Sequence, residues 1–123
     1  MIIIAENDSQ YKNELLLRLR RQSLPVESAT CGMHIFQLLE SCNIQLVVLT
    51  TDMSDMGVLE IVSLIRSNHD KKELSIIFLT SNIDPKDEAE IILAGVNSCV
   101  DRTIPVNEVV NKIKKELIKK MKK

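Results

Sequence analysis

Tryptophan is absent from this chain, and 123 residues include only one tyrosine and two phenylalanines. So sparse an aromatic set lacks the stacking residues that a nucleic-acid surface interleaves with its cations. Cys31, Cys42 and Cys99 are odd in number and form no CxxC pair. They indicate neither a disulfide framework nor a zinc site, and a reducing cytoplasm suits them. The three glycines form no phosphate-cradling loop, and no nucleophile elbow or catalytic-triad spacing is present. No apolar run is long enough to cross a bilayer, and the start MIIIAEND has neither a basic n-region nor a cleavage site. Met1 directly before an apolar run suggests a free-standing chain whose first residues already form a strand.

What is present suits one globular domain spanning 1–123: apolar content of 45% and charged content of 27% are ordinary for a soluble protein. The net charge of −1 hides an asymmetry. Residues 112–123 carry seven lysines and one glutamate, leaving −7 on residues 1–111. The lysines read as the solvated face of a last helix, where cations complement the helix dipole. Without aromatic interleaving they do not argue for a nucleic-acid partner.

Taken in order, the chain alternates strands and helices. Ile2-Ile3-Ile4-Ala5 is a strand buried on both faces, ending at Glu6-Asn7-Asp8. Asp8 starts a helix that Ser9 can cap, running to about Gln22 with Leu15, Leu16 and Leu19 inward. Val26–Ala29 is a short edge strand, and Gly32 opens a helix burying Ile35, Phe36 and Leu39. Leu46–Leu49 is a second double-faced strand, followed by a helix from about Val58 to Arg66 with Val58, Ile61, Val62 and Ile65 inward. Ser75–Leu79 is the fourth strand. Asp84-Pro85 starts a helix with Ala89, Ile92, Leu93 and Val96 as its apolar stripe, ending at Gly95. Ser98–Asp101 is the fifth strand, and Pro105 begins a last helix burying Val106, Val109, Val110, Ile113 and Leu117. Five strands alternating with five helices imply a doubly wound, flavodoxin-like parallel sheet in the order 2-1-3-4-5.

The organising stretch is LVVLTTDMSDMG, from Leu46 to Gly57. It resembles the central strand and loop of bacterial response-regulator receiver domains, where an aspartate ends the strand and Met-Pro-x-Met follows. Met53-Ser54-Asp55-Met56 fits that loop. Gly32 before the second helix and Ala94-Gly95 before the fifth strand extend the resemblance over nearly the whole chain, which is identified as chemotaxis-regulator-like.

The resemblance implies a phosphorylation site at the strand ends, but this chain departs from it. Glu6 matches the first acidic position and Thr80 the hydroxyl that steadies a phosphoryl group. Asn7 replaces the second acid, Thr50 the acceptor aspartate, Arg102 the lysine and Thr103 the proline after it, while Cys99 stands where an aromatic is usual. A carboxylate is an ionised nucleophile at neutral pH, whereas a threonine hydroxyl needs a general base. Mg²⁺ prefers hard, anionic oxygens, and Glu6 with Arg102 sums to zero. Arg102 is expected to take Glu6 in a bidentate pair, across a trans Arg102–Thr103 bond.

These substitutions imply a non-enzymatic pseudo-receiver: a protein-interaction module in two-component-type signalling that needs no Mg²⁺ or other cofactor. Its partners are expected to be other signalling proteins, met through the fourth helix, fifth strand and fifth helix near Glu88, Ile91, Cys99 and Lys112, with no membrane contact. The alternative is an atypical phosphorelay receiver accepting phosphate on a carboxylate such as Asp52 or Asp8, with weak Mg²⁺ binding at Glu6 and Asp52. Asp55 is expected to turn its loop, and His34 and His69 lack partners at metal spacing.

Overall fold

The chain is described here by a computed structural model covering residues 1–50, 53–81 and 83–121. Asp52, the alternative acceptor, therefore lies outside the described residues.

Apolar residues without alternation make strands that must be covered on both sides. The first, β1 (Ile2–Ala5), and the third, β3 (Leu46–Leu49), are wholly buried and lie side by side at the centre of a five-stranded parallel sheet. Beyond β1 lies β2 (Val26–Ser28), an edge strand, and beyond β3 lie β4 (Ser75–Thr80) and β5 (Ser98–Asp101). The order 2-1-3-4-5 and the family-like architecture expected from the sequence are what the chain adopts.

The period-two geometry of a strand divides the core in two. Ile3, Ala5, Val47, Leu49, Ile76 and Phe78 pack against α2 (Gly32–Ser41), α3 (Val58–Asn68) and α4 (Pro85–Ala94). Ile2, Ile4, Leu46, Val48, Ile77 and Leu79 face α1 (Ser9–Arg21) and α5 (Val106–Met121). No helix among the described residues is long and apolar enough to cross a membrane.

Most inward faces are those expected: Leu15, Leu16 and Leu19 on α1, and Val58, Ile61, Val62 and Ile65 on α3. Several details differ, among them Val106 and Leu117 of α5, which are half-buried. Asp8, not Ser9, is the N-cap of α1, because its carboxylate reaches the Gln10 and Tyr11 N–H groups at 3.1 and 3.2 Å. Phe36 and Leu39 on α2 are only half-buried beside the fully buried Ile35. On α4 the expected stripe is turned: Ile91 is 5% exposed and packs in the core, whereas Ala89 is exposed, Ile92 is 46% exposed and Leu93 is 86% exposed, and of the expected four Val96 alone is buried. Ile91-Ile92-Leu93 offers apolar side chains on both sides of one turn, so spacing alone could not choose which faces inward. The N-cap of α4 is as expected, with Asp84 accepting from Lys86 and Pro85 opening the helix.

Gly95 closes α4 at φ +124°, a region that disfavours other residues. Its carbonyl accepts the Arg66 Nε–H at 2.7 Å. The same guanidinium reaches the carbonyls of Leu74 (2.7 Å) and His69 (3.2 Å) and the Asn97 side-chain oxygen (2.8 Å). Asn97 in turn accepts the Ile76 N–H at 2.8 Å. One side chain on α3 thus ties the start of β4 to the turn before β5.

Candidate functional site

In a doubly wound sheet the crevice for a ligand opens at the carboxyl ends of the strands, where the winding reverses. Here that is the gap between β1 and β3, flanked by Glu6 and Thr50, with Thr80 and Arg102 following β4 and β5. The parallel register brings together residues as far apart in sequence as Glu6 and Arg102, whose side chains meet.

Glu6 is 3% exposed. Its Oε1 accepts the Asp8 N–H at 3.0 Å and lies 3.4 Å from Arg102 Nη1, while its Oε2 is buried without a hydrogen-bond partner among the described residues. Arg102 does not make the expected bidentate pair with Glu6. Its second nitrogen, Nη2, lies 3.6 Å from Asp8 Oδ2. The fork spreads over two carboxylates because Asp8, as the N-cap of α1, is held beside Glu6 by its own backbone. The guanidinium carbon also stands 4.6 Å from the centre of the Tyr11 ring, a cation–π contact on the first turn of α1. Burial pushes the Tyr11 phenol up, against the opposing pull of Arg102.

The formal charge of this cluster is therefore −1, with Glu6 and Asp8 against Arg102, and not the zero expected from Glu6 and Arg102 alone. Asp8 and Tyr11 are the members that sequence reading missed in this role. Asp8 was legible as a helix start, but nothing in the sequence showed that its second oxygen would face a residue 94 positions away.

Thr50 is 3% exposed, and both its N–H and its hydroxyl are directed to the Ala5 carbonyl, each at 3.2 Å. The hydroxyl is thus engaged in bracing β3 against β1. Thr80 is buried at the end of β4, and its carbonyl accepts the Arg102 N–H at 2.9 Å. Asn7 is exposed. The loop after β5 has a trans Arg102–Thr103 bond, and Asp101 accepts both the N–H (2.8 Å) and the hydroxyl (2.7 Å) of Thr103. A proline at 103 could donate neither. These two bonds hold the Asp101 carboxyl below the usual carboxylate range.

Asp55 does more than turn its loop. It spans to the start of α2, accepting the Gly32 N–H at 2.7 Å and the Met33 N–H at 3.0 Å, and those donors draw its pKa down. The helix would otherwise begin with Cys31, whose side chain makes no capping bond. Gly32 suits this approach, since a Cβ there would sit 2.8 Å from the Met56 sulfur and 3.2 Å from an Asp55 oxygen, and those side chains would have to shift.

A divalent cation would need several anionic oxygens pointing into the crevice. Among the described residues no three His, Cys, Asp or Glu side chains converge on one point. Glu6 has one oxygen to spare, but a guanidinium already stands beside it, and the Thr50 hydroxyl is turned to a carbonyl. Among the described residues, which leave out Asp52, this donor set does not fit the metal that receiver domains are expected to hold.

On the surface expected to meet partners, Glu88 and Cys99 are half-buried and Lys112 is exposed, while Ile91 belongs to the core. Burial pushes the Cys99 thiol up, and the Glu88 charge adds to that.

Comparison with known proteins agrees with the geometry. The crystal structure of a CheY-like response regulator receiver domain protein from Methanospirillum hungatei JF-1 superposes with a TM-score of 0.88 at 17% identity, covering 98% of this chain and 95% of that one. A structure described as a probable two-component system response regulator/GGDEF domain protein superposes with a TM-score of 0.90 at 19% identity, over 98% of this chain and 50% of its own. At such identities the likeness is one of fold. In sequence, the chain is 28% identical over 113 residues to the CAI-1 autoinducer sensor kinase/phosphatase CqsS of Vibrio cholerae serotype O1 (strain ATCC 39315 / El Tor Inaba N16961). That match covers 91% of this chain but only 16% of the kinase. The response regulator receiver domain family matches residues 2–114, and with its sheet order and strand-end crevice the chain belongs to that family.

Proposed function

We propose that this receiver domain works as a phosphorylation-independent protein-interaction module in a two-component-type pathway. One observation carries the reading: the Arg102 guanidinium lies across Glu6 and Asp8, over Tyr11, beside a Thr50 whose hydroxyl is spent on a backbone carbonyl. An internal cation thereby offsets one of the two carboxylate charges that would otherwise attract a divalent ion, and the position of the acceptor holds a neutral hydroxyl. The single negative charge left over gives a divalent ion less reason to bind than two uncompensated carboxylates would. Partners would be other signalling proteins. The outward residues Ile92 and Leu93 of α4, near the acidic Asp87 and Glu90, and the lysines of α5 from Lys112 offer an apolar centre with charges of both signs.

Incubation of the chain with acetyl phosphate and Mg²⁺, followed by intact mass and hydroxylamine treatment, tests this. The expected result is no added phosphoryl mass. A hydroxylamine-labile adduct would overturn it, and mapping the adduct to Asp52 or Asp8 would establish the phosphorelay alternative.

A further inference from the structure

At the end of the sheet opposite the crevice, the amphipathic α5 overhangs the start of β1. Between them lies a recess of about 420 Å³, within the range of small-molecule sites. Its floor and walls are mostly apolar, from Ile2, Leu24, Pro25, Leu117 and Ile118, with Met1 and the polar Gln45 at one side. Ile118 is 47% exposed at the rim, so apolar surface here remains uncovered.

Two lysines of α5, Lys114 and Lys120, line the same recess. Neither has a carboxylate within 4.0 Å among the described residues. Lys114 Nζ donates to the Gln22 side-chain oxygen at 3.0 Å, and Lys120 Nζ to the Lys72 carbonyl at 2.7 Å. Neutral acceptors satisfy donors without cancelling charge. Lys120 also lines an adjoining hollow of about 540 Å³ with Lys71, Lys72 and Lys119, where Glu116 is the single carboxylate. Burial and the nearby Arg66 pull the Lys120 pKa down, offset in part by Glu116, Asp70 and Glu73. The case for an anion rests on the geometry: two lysines on one apolar recess, each bonded only to a neutral acceptor.

We infer that this recess binds a single-chain amphiphilic anion, with its hydrocarbon tail on Ile2, Leu24, Leu117 and Ile118 and its anionic head between Lys114 and Lys120. An apolar solute alone would leave the lysines unmatched, and a small anion alone would leave the apolar walls wet. The concavity selects a free monomer over a bilayer, because a membrane surface is met by protruding apolar side chains and not by a hollow. The inference does not depend on the state of the Glu6–Arg102 crevice.

Isothermal titration of the whole chain with decanoate below its micelle concentration tests it, with acetate, decan-1-ol and phosphatidylglycerol vesicles as separate arms. Saturable one-to-one binding of decanoate is expected, with acetate and decanol each much weaker. Lys114→Gln and Lys120→Gln should each weaken decanoate binding by roughly tenfold, the scale of one charge-assisted hydrogen bond. Ile118→Ser, an exposed change that leaves folding intact, should weaken it as well while leaving acetate unaffected. Equal binding of acetate, equal binding of decanol, binding only to vesicles, or indifference to both lysine variants would each overturn the proposal.

Discussion

Arg66 and Arg102 are both partly buried arginines at opposite ends of the same sheet, and they are held in different ways. Arg66 is enclosed by neutral acceptors: three carbonyls and the Asn97 amide oxygen at 2.7 to 3.2 Å. Burial lowers its pKa, with the Asp70 charge working the other way. Arg102 meets two carboxylates at 3.4 and 3.6 Å and rests on a ring, with its side chain 23% exposed. A guanidinium bonded to three main-chain carbonyls and an amide oxygen has become part of the scaffold, because removing it takes four hydrogen bonds from partly buried acceptors. One held by longer, partly solvated charge pairs contributes less to folding and more to the charge of the crevice.

The largest expected effect breaks the first arm of that comparison. Arg66→Ala should destabilise the fold by about 3 kcal/mol, since it removes four hydrogen bonds to partly buried acceptors at once. Urea unfolding followed by circular dichroism would show it as a lower midpoint with an unchanged slope. A loss below that of Arg102→Ala would mean the two sites do not differ as described.

Arg102→Ala should cost about 1 kcal/mol, because its pairs are long and partly screened, although Glu6 is then left with the Asp8 N–H alone. Its distinguishing effect is on cations. With the guanidinium gone, Glu6 and Asp8 face the crevice uncompensated, and Mn²⁺ affinity, read by electron paramagnetic resonance, should rise at least about tenfold over the unaltered chain. Divalent ions should then restore the lost stability by mass action. Tight Mn²⁺ binding by the unaltered chain, or no gain in the variant, would separate the role of Arg102 from the charge argument.

The smallest effect sharpens the contrast within the crevice end itself, where Asp55 is the tightly held carboxylate. Its pKa is lowered in the folded chain by the Met33 and Gly32 N–H groups. A lowered carboxylate stabilises the fold above its unfolded value of about 3.9, and that contribution fades as pH falls through the lower folded value. Asp55→Asn should give a slightly lower urea midpoint at neutral pH and a flatter stability profile below about pH 4. An unchanged profile would show that the bridge to α2 adds nothing.

Particular residues show what could be read early and what could not. The runs Ile2–Ala5 and Leu46–Leu49 are unbroken by polar residues, and burial on both faces follows from that alone. Asp84-Pro85 and Gly95 bracket α4 by local chemistry, and both ends lie where they were expected. The facing of α4 was misread because Ile91, Ile92 and Leu93 are adjacent, and only contact with the sheet and α3 selects Ile91. Arg66 carried no signal, since its acceptors are mostly main-chain carbonyls, which every residue type supplies. Thr50 and Arg102 were legible as departures from the receiver pattern, but the spread of Arg102 over Glu6 and Asp8 was not.

By itself the sequence determined the alternation of strands and helices, the sheet order that such alternation permits, and the chemical identity of the strand-end residues. Those depend on neighbours three or four positions away and on side-chain type. The tertiary structure alone decided which apolar face α4 buries, that Asp55 caps a helix begun 23 residues earlier, and that a guanidinium after β5 lies against carboxylates after β1. Such contacts depend on distances between segments remote in the chain, and no local spacing encodes them.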